Sequence, residues 1–179
     1  MKRAIKTTVI CFVIMLTTSA RQNTDTEVER TENILEAFDF WIGSWEATWD
    51  ESEGVVGKGT NEIKKILDGK VIQENFQITE GKGKGFKGTS ISIYQTKWNR
   101  WKQAWADNQG GYFDFTGDVS GDEKIFRTTP LKKDGKKILS RMVFKDVRKD
   151  AFTWYWEKSK DGGKSWKLLW RINYKRALK

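Results

Sequence analysis

Apolar and polar residues alternate along most of the chain, beginning just after position 43. The pattern is clearest in the first such segment, where Trp45, Ala47 and Trp49 are separated by single polar residues. A period of two residues places these side chains on one face of a β-strand and their neighbours on the other. Residues 43–50 therefore predict the opening strand of a β domain.

Further segments of the same kind follow at short intervals, joined by turns rich in glycine and aspartate. The predicted strands cover residues 57–67, 70–79, 86–95, 101–108, 112–119, 124–129, 138–147, 151–157 and 166–174. Asp68-Gly69 and residues 133–136 are typical hairpin turns. We predict an all-β, antiparallel up-and-down meander of about nine or ten strands, preceded by a short N-terminal helix from Thr31. Closure into a barrel would leave no unpaired edge.

The first 20 residues have the character of a secretory signal peptide. Basic residues precede an apolar run at 9–16, and small residues follow at 18–20. The run is too short for a membrane span. We predict a signal peptide at 1–20, a flexible lead at 21–30 and a barrel domain at 31–176. The mature protein is expected to be periplasmic or extracellular, with no stable membrane span after cleavage.

Cysteine and histidine are almost absent, which limits the possible chemistry. The chain has no histidine, and its single cysteine, Cys11, lies within the predicted signal peptide. Disulfides, a cysteine or histidine nucleophile or base, common zinc sites and histidine- or cysteine-ligated haem are therefore excluded for the mature protein. No cofactor and no metal are expected.

The charge distribution favours a solvated surface. Removal of three basic residues with the signal leaves 30 basic residues against 24 acidic ones, a net charge of about +6. The lysines are interleaved with acids and are not concentrated on one predicted element, so we expect no nucleic-acid partner. A monomer and a homodimer are both compatible with the sequence.

Gly43-Ser44-Trp45, at the head of the first strand, resembles the glycine-any-tryptophan motif of lipocalins and related calycins. Residues 40–45, 68–72, 105–111 and 161–166 together resemble a family of exported bacterial lipocalin-like domains of unknown function. The resemblance covers about 38–174 and implies a lipocalin-like barrel. It also implies that a late arginine packs over Trp45 as a structural plug, and Arg171 is the position that would match.

The chain is rich in tryptophan, with ten of them, and aromatic residues make up 13% of it. Such rings suit either a filled core or a binding cavity, and a barrel of this strand number allows both. If Trp45 points inward, the predicted cavity wall comprises Trp49, Trp101, Gln103, Trp105, Asp107, Tyr112, Asp114, Arg141, Trp154 and Trp156. A shift of one residue would exchange the two faces of any strand, so the alternation does not assign them.

Three function classes follow from these residues. The first is a non-catalytic module that binds a small amphipathic or hydrophobic molecule in an aromatic-lined cavity. The alternative is a carboxylate-dependent enzyme acting on a sugar or another small substrate, with Asp107, Asp114 and Glu157 as possible acids and bases. A third class is a surface module that recognises envelope glycan or protein through exposed tryptophans. No nucleophile motif accompanies the carboxylates, which favours binding over catalysis.

Overall fold

The computed structural model describes residues 34–52, 54–120 and 123–178. The predicted signal peptide, the lead and residues 31–33 of the predicted helix lie outside this part of the chain. The chain divides into two units, Met1–Glu36 and Ala37–Lys179. Within the first unit, residues 34 and 35 are helical. The strands described below all belong to the second unit.

Eleven strands occur among the described residues, together with two short 3-10 helices at Asp39–Trp41 and Thr96–Trp98. The strands are β1 (Gly43–Ser52), β2 (Val55–Ile66), β3 (Val71–Glu80), β4 (Lys87–Gln95), β5 (Arg100–Asp107), β6 (Tyr112–Ser120), β7 (Glu123–Thr128), β8 (Leu131–Lys133), β9 (Lys136–Arg148), β10 (Ala151–Ser159) and β11 (Lys167–Arg176). In the same part of the chain, no helix has the length and apolar character required to cross a membrane.

Ten of these strands close into an antiparallel barrel. Strands β1 to β7 pair in chain order, β7 pairs with β9, and β9, β10 and β11 continue the sheet until β11 pairs with β1. Strand β8 lies outside the barrel and pairs with the start of β9. Each barrel strand therefore has two neighbours, and closure removes the exposed edges. The predicted all-β, lipocalin-like barrel of nine or ten strands is confirmed.

The two predicted hairpin turns form at the expected positions but differ in length. Asp134 and Gly135 both have positive φ and alone connect β8 to β9, as a two-residue turn requires. Between β2 and β3 the connection has four residues, 67–70, instead of the predicted two. Leu67 and Asp68 also adopt positive φ there, and the Lys70 amide donates to the Leu67 carbonyl at 3.2 Å.

Glycines on the inner face make room for large rings on neighbouring strands. Gly57 is the cross-strand partner of Trp49, and a Cβ atom at position 57 would overlap the Trp49 indole. A Cβ atom on Gly88 would likewise overlap the ring of Trp105. The barrel can therefore hold many tryptophans because small residues face them across the sheet.

One end of the barrel is filled by aromatic side chains around the 3-10 helix Asp39–Trp41. Phe38 is completely buried and stacks on Phe126, with ring centroids 4.6 Å apart. Trp101 approaches Phe38 edge-on at 5.0 Å, and Trp41 approaches Phe144 at 5.2 Å. We call this the closed end of the barrel.

An arginine does pack over Trp45 at the closed end, but it is Arg176 and not the predicted Arg171. The Arg176 guanidinium lies 4.2 Å from the Trp45 ring centroid and donates to the carbonyls of Ile42 and Lys149. Trp45 and Arg176 are cross-strand partners in the β1–β11 seam. Arg171 is exposed and lies over Tyr155 instead. The prediction failed because Arg171 is on the outer face of β11, opposite in phase to Arg176.

Candidate functional site

A pocket of about 180 Å³ lies inside the barrel, away from the closed end. The course of strand β5 shows that the pocket lies toward the opposite end of the barrel. Trp101, near the start of β5, packs at the closed end, whereas Trp105 and Asp107, near its end, line the pocket. The pocket is small compared with the ~300–1,000 Å³ typical of sites for drug-sized ligands. Its volume suits a molecule of up to about ten non-hydrogen atoms.

Tryptophan rings form much of the pocket wall. Strand β10 places Trp154 and Trp156 two residues apart on its inner face, and their rings are parallel with centroids 6.2 Å apart. Trp170 on β11 meets Trp154 edge-on at 5.9 Å. Trp105 completes the set from β5 and stacks on Phe86 at 6.4 Å. These rings are half-buried, so solvent reaches this end of the barrel.

The predicted inner face of β5 is observed, but only its last residues reach the pocket. Trp101 and Gln103 are buried, and the Gln103 amide donates to Ser92 Oγ at 2.9 Å. Neither residue lines the pocket, since both lie nearer the closed end. Trp105 and Asp107 do line it.

The predicted face of β6 is wrong. Tyr112 and Asp114 point outward; Tyr112 is 69% exposed, and Asp114 forms an ion pair with Lys102. Phe113 and Phe115 occupy the inner face and line the pocket. The register explains the exchange, because Trp105 on the inner face of β5 is directly opposite Phe113.

Two other predicted wall residues lie outside the pocket. Arg141 projects from the outer face of β9, where its Nε donates to the Glu157 carboxylate at 2.6 Å and its guanidinium covers the Trp166 ring at 4.1 Å. Trp49 is buried and packs edge-on against Trp170 at 5.2 Å, one layer behind the pocket wall.

The tryptophans do not form an exposed recognition face. Nine of the ten are buried or half-buried, and Trp98 is the exception at 60% exposure. Trp98 lies in the 3-10 helix between β4 and β5, where Arg100 and Lys97 approach its ring. One exposed ring gives the third function class little support.

Sequence reasoning missed the most unusual residue of the site, Glu74 on β3. Its side chain points inward between Ile72 and Phe76 and lines the pocket, although it is only 7% exposed. One carboxylate oxygen accepts from Asn61 Nδ2 at 2.7 Å, and the other accepts from Ser90 Oγ at 2.7 Å. Burial raises the pKa of Glu74 from 4.5 to about 7, against the opposing effect of these two hydrogen bonds.

Tyr174 on β11 lines the same part of the pocket. Burial raises the pKa of its hydroxyl well above the ordinary range, and the negative charge of Glu74 adds to this effect, while the nearby Asn61 side chain opposes it. Tyr174 therefore stays neutral wherever Glu74 titrates. The sequence does contain a signal for this cluster, because Glu74 falls on the same face of β3 as the apolar residues Ile72 and Phe76. An acid at such a position is buried together with the apolar face.

Asp107 is held by its own loop. Its carboxylate accepts from the Gln109 and Gly111 amides, each at 2.9 Å, and from Trp105 Nε1 at 3.1 Å. Partial burial raises the pKa of Asp107, but the hydrogen bonds from Gly111, Trp105 and Gln109 outweigh it and hold the pKa below its usual range. The carboxylate is thus a fixed negative charge that also orients the Trp105 ring.

Comparison of the sequence with protein-family models and with curated proteins found no match. The functional conclusion therefore rests on the barrel and on the pocket. Four tryptophans, four phenylalanines and one buried carboxylate are brought together there from strands far apart in the sequence.

Proposed function

We propose that the protein is an exported, non-catalytic barrel that binds one small molecule in its aromatic-lined pocket. The observation that carries this proposal is the pocket itself, a space of about 180 Å³ with apolar walls and few polar groups. Small-molecule sites in proteins combine these two features.

Export is supported by the sequence of residues 1–20, in which basic residues precede an apolar run and small residues follow it. A periplasmic or extracellular address would bring the barrel into contact with small molecules from the surroundings. The proposed partner is such a molecule, and the protein acts as a monomer or a homodimer.

A fragment screen by ligand-observed NMR tests the binding proposal. Neutral, cationic and anionic fragments of up to ten non-hydrogen atoms are titrated against the mature protein and two variants. Met142→Trp fills the pocket from β9, and Ile91→Trp adds the same ring to the outer face of β4, where Ile91 is 51% exposed. We expect saturable binding that is lost in Met142→Trp and retained in Ile91→Trp. Equal binding to both variants, or no saturable fragment at all, would refute the proposal.

A carboxylate-dependent enzyme is the second candidate, and one observation favours it. A buried acid with a pKa of about 7 is suited to general acid–base chemistry near neutral pH. Asp114 and Glu157 are less suited because each is paired with a base outside the pocket. Turnover of small esters or aryl glycosides that disappears in Glu74→Gln would establish this function. Absence of turnover across such a panel would leave binding alone.

A further inference from the structure

The charges that face the pocket have one sign. Glu74 and Asp107 are its acidic residues, and among the described residues that line it none is a lysine or an arginine. The chain as a whole is strongly basic, so this local excess of negative charge runs against the composition. The basic residues of the nearby loops, such as Lys82, Lys84, Lys160 and Lys164, are exposed and are screened by solvent and salt.

Within the part of the chain that the structure describes, Glu74 receives two hydrogen bonds but has no positively charged partner. A carboxylate has about four acceptor positions, and Asn61 and Ser90 occupy two of them. Burying a carboxylate without a counter-charge is unfavourable. A cation in the pocket would remove that penalty, whereas a neutral apolar ligand would displace water and increase it. An anion would be repelled by both acids.

The aromatic wall favours the same class of ligand. The face of a tryptophan ring attracts a cation more strongly than the face of a phenylalanine or tyrosine ring, and desolvated sites strengthen the attraction. Beside the pocket, the Trp154 ring centroid lies 6.2 Å from that of Trp156 and 5.9 Å from that of Trp170. Alkylated ammonium groups are recognised by such aromatic cages because they combine charge with apolar surface.

We propose that the pocket binds a small organic cation, whose ammonium group pairs with the Glu74 carboxylate and packs against the tryptophan rings. This inference rests on the proposed ligand-binding function and names its ligand class. A volume of about 180 Å³ limits the enclosed part of the ligand to the size of a trimethylammonium group with a short side chain. A longer substituent would have to extend toward the solvent-exposed end.

The ionisation of Glu74 makes the proposal dependent on pH. The pKa of Glu74 is about 7, so a cation must displace a proton from it under mildly acidic conditions. The groups around it are Asn61 on β2, Ser90 on β4 and Tyr174 on β11, with Asp107 on β5 as the other titratable group of the lining. Tyr174 stays neutral and Asp107 stays ionised between pH 5 and 8, because their pKa values are displaced away from that window.

Choline and 3,3-dimethylbutan-1-ol test the charge directly, because they have the same shape and differ by a nitrogen and its charge. Calorimetric titration of the mature protein at pH 8 should show choline binding at least tenfold more tightly than the alcohol. Choline affinity should fall by up to about tenfold per pH unit below pH 7, while affinity for the alcohol should not fall. Equal or tighter binding of the alcohol would overturn the proposal and would leave the binding function intact.

Variants identify the residues responsible. Glu74→Gln should weaken choline binding at least tenfold and abolish its pH dependence, whereas Glu62→Gln, on the outer face of β2, should change neither. Trp156→Leu keeps the carboxylate but removes one ring, and it should weaken choline binding more than binding of the alcohol. Unchanged choline affinity in Glu74→Gln, or failure of both probes to bind, would overturn the proposal. In the second case the fragment screen decides whether any ligand binds.

Discussion

Glu74 is unfavourable for folding when it is ionised, and we propose that it serves ligand binding. Its side chain faces apolar neighbours, and its pKa of about 7 means that the folded protein resists its ionisation. The carboxylate is kept in place by Asn61 and Ser90, which occupy the inner faces of the flanking strands. A glutamine could occupy this position without a buried carboxylate, which is why we propose a functional role for the acid.

The stability of the protein should reflect this residue. Because the pKa of Glu74 is 4.5 unfolded and about 7 folded, the native state holds the extra proton between these values. The free energy of unfolding therefore falls as pH rises from about 4.5 to about 7, by roughly 3 kcal/mol from this group. Below and above that window its contribution is constant.

Urea denaturation of the wild type and Glu74→Gln at several pH values measures this effect. Glutamine can use the same partners, since Asn61 Oδ1 accepts no hydrogen bond among the described residues. The variant should gain about 3 kcal/mol relative to the wild type between pH 4.5 and pH 7.5. Glu62→Gln replaces an exposed acid, so its stability relative to the wild type should not change with pH in this way. A constant difference between Glu74→Gln and the wild type across this range would contradict the prediction.

The packing of Arg176 over Trp45 can be tested by mutation. Arg171, on the same strand, provides the control. Arg176→Met removes the cation from the Trp45 ring and leaves the carbonyls of Ile42 and Lys149 without this donor. We expect a loss of about 2 kcal/mol in the free energy of unfolding. Arg171→Met removes an exposed side chain and should change stability by less than about 0.5 kcal/mol. Thermal unfolding compares the two, and equal losses would contradict the assignment of the plug.

At the scale of the strand, the barrel depends on matching small residues to large ones across the sheet. Gly88 on β4 lies under the ring of Trp105 on β5, so these two strands can approach only because position 88 has no side chain. The ring is then held by Asp107 at the end of its own strand. The pairing of β4 with β5 therefore determines that the Trp105 ring forms part of the pocket wall.

Gly88→Val should displace the Trp105 ring from the pocket wall. Overpacking of this kind costs about 1–3 kcal/mol, and a displaced indole would emit at longer wavelength because it meets more solvent. Ala106→Val places the same side chain at an exposed position of the neighbouring strand and should leave both stability and emission nearly unchanged. Denaturant unfolding and tryptophan fluorescence provide the comparison. Wild-type emission and stability in Gly88→Val would show that the ring does not depend on this glycine.

At the scale of the whole molecule, the two ends of the barrel differ in structure. The closed end is filled by Phe38, Trp41 and the Trp45–Arg176 plug. The other end keeps the pocket and carries the longer loops. Closure through the β1–β11 seam joins residues at the two extremes of the domain, so the pocket exists only when the whole sheet has formed.

The proposed export can be measured directly on the full chain. If residues 1–20 act as a signal peptide, the protein recovered outside the cytoplasm should begin at Arg21. Intact mass spectrometry of the secreted or periplasmic fraction identifies that terminus. A variant with Lys2, Arg3 and Lys6 replaced by glutamate should accumulate uncleaved. Full-length protein that begins at Met1 in the exported fraction would contradict the prediction.

The alternation of residues was sufficient to identify an all-β meander, because the period of two is a local property of each strand. The same pattern placed Trp105 and Asp107 on one face of β5. It could not choose between Tyr112 and Phe113 on β6, since both neighbours are aromatic and a shift of one residue exchanges them. The register of β6 against β5 resolves this choice.

The plug and the acidic centre of the pocket depend on contacts between distant parts of the chain. Arg176 reaches Trp45 because β11 closes onto β1 in one register, which no local pattern specifies. Glu74 acquires its raised pKa from burial among apolar residues once the barrel closes, against the opposing effect of the hydrogen bonds from Asn61 and Ser90. Local periodicity thus determines the kind of sheet, whereas long-range strand pairing and burial determine which side chains meet inside it and how they are charged.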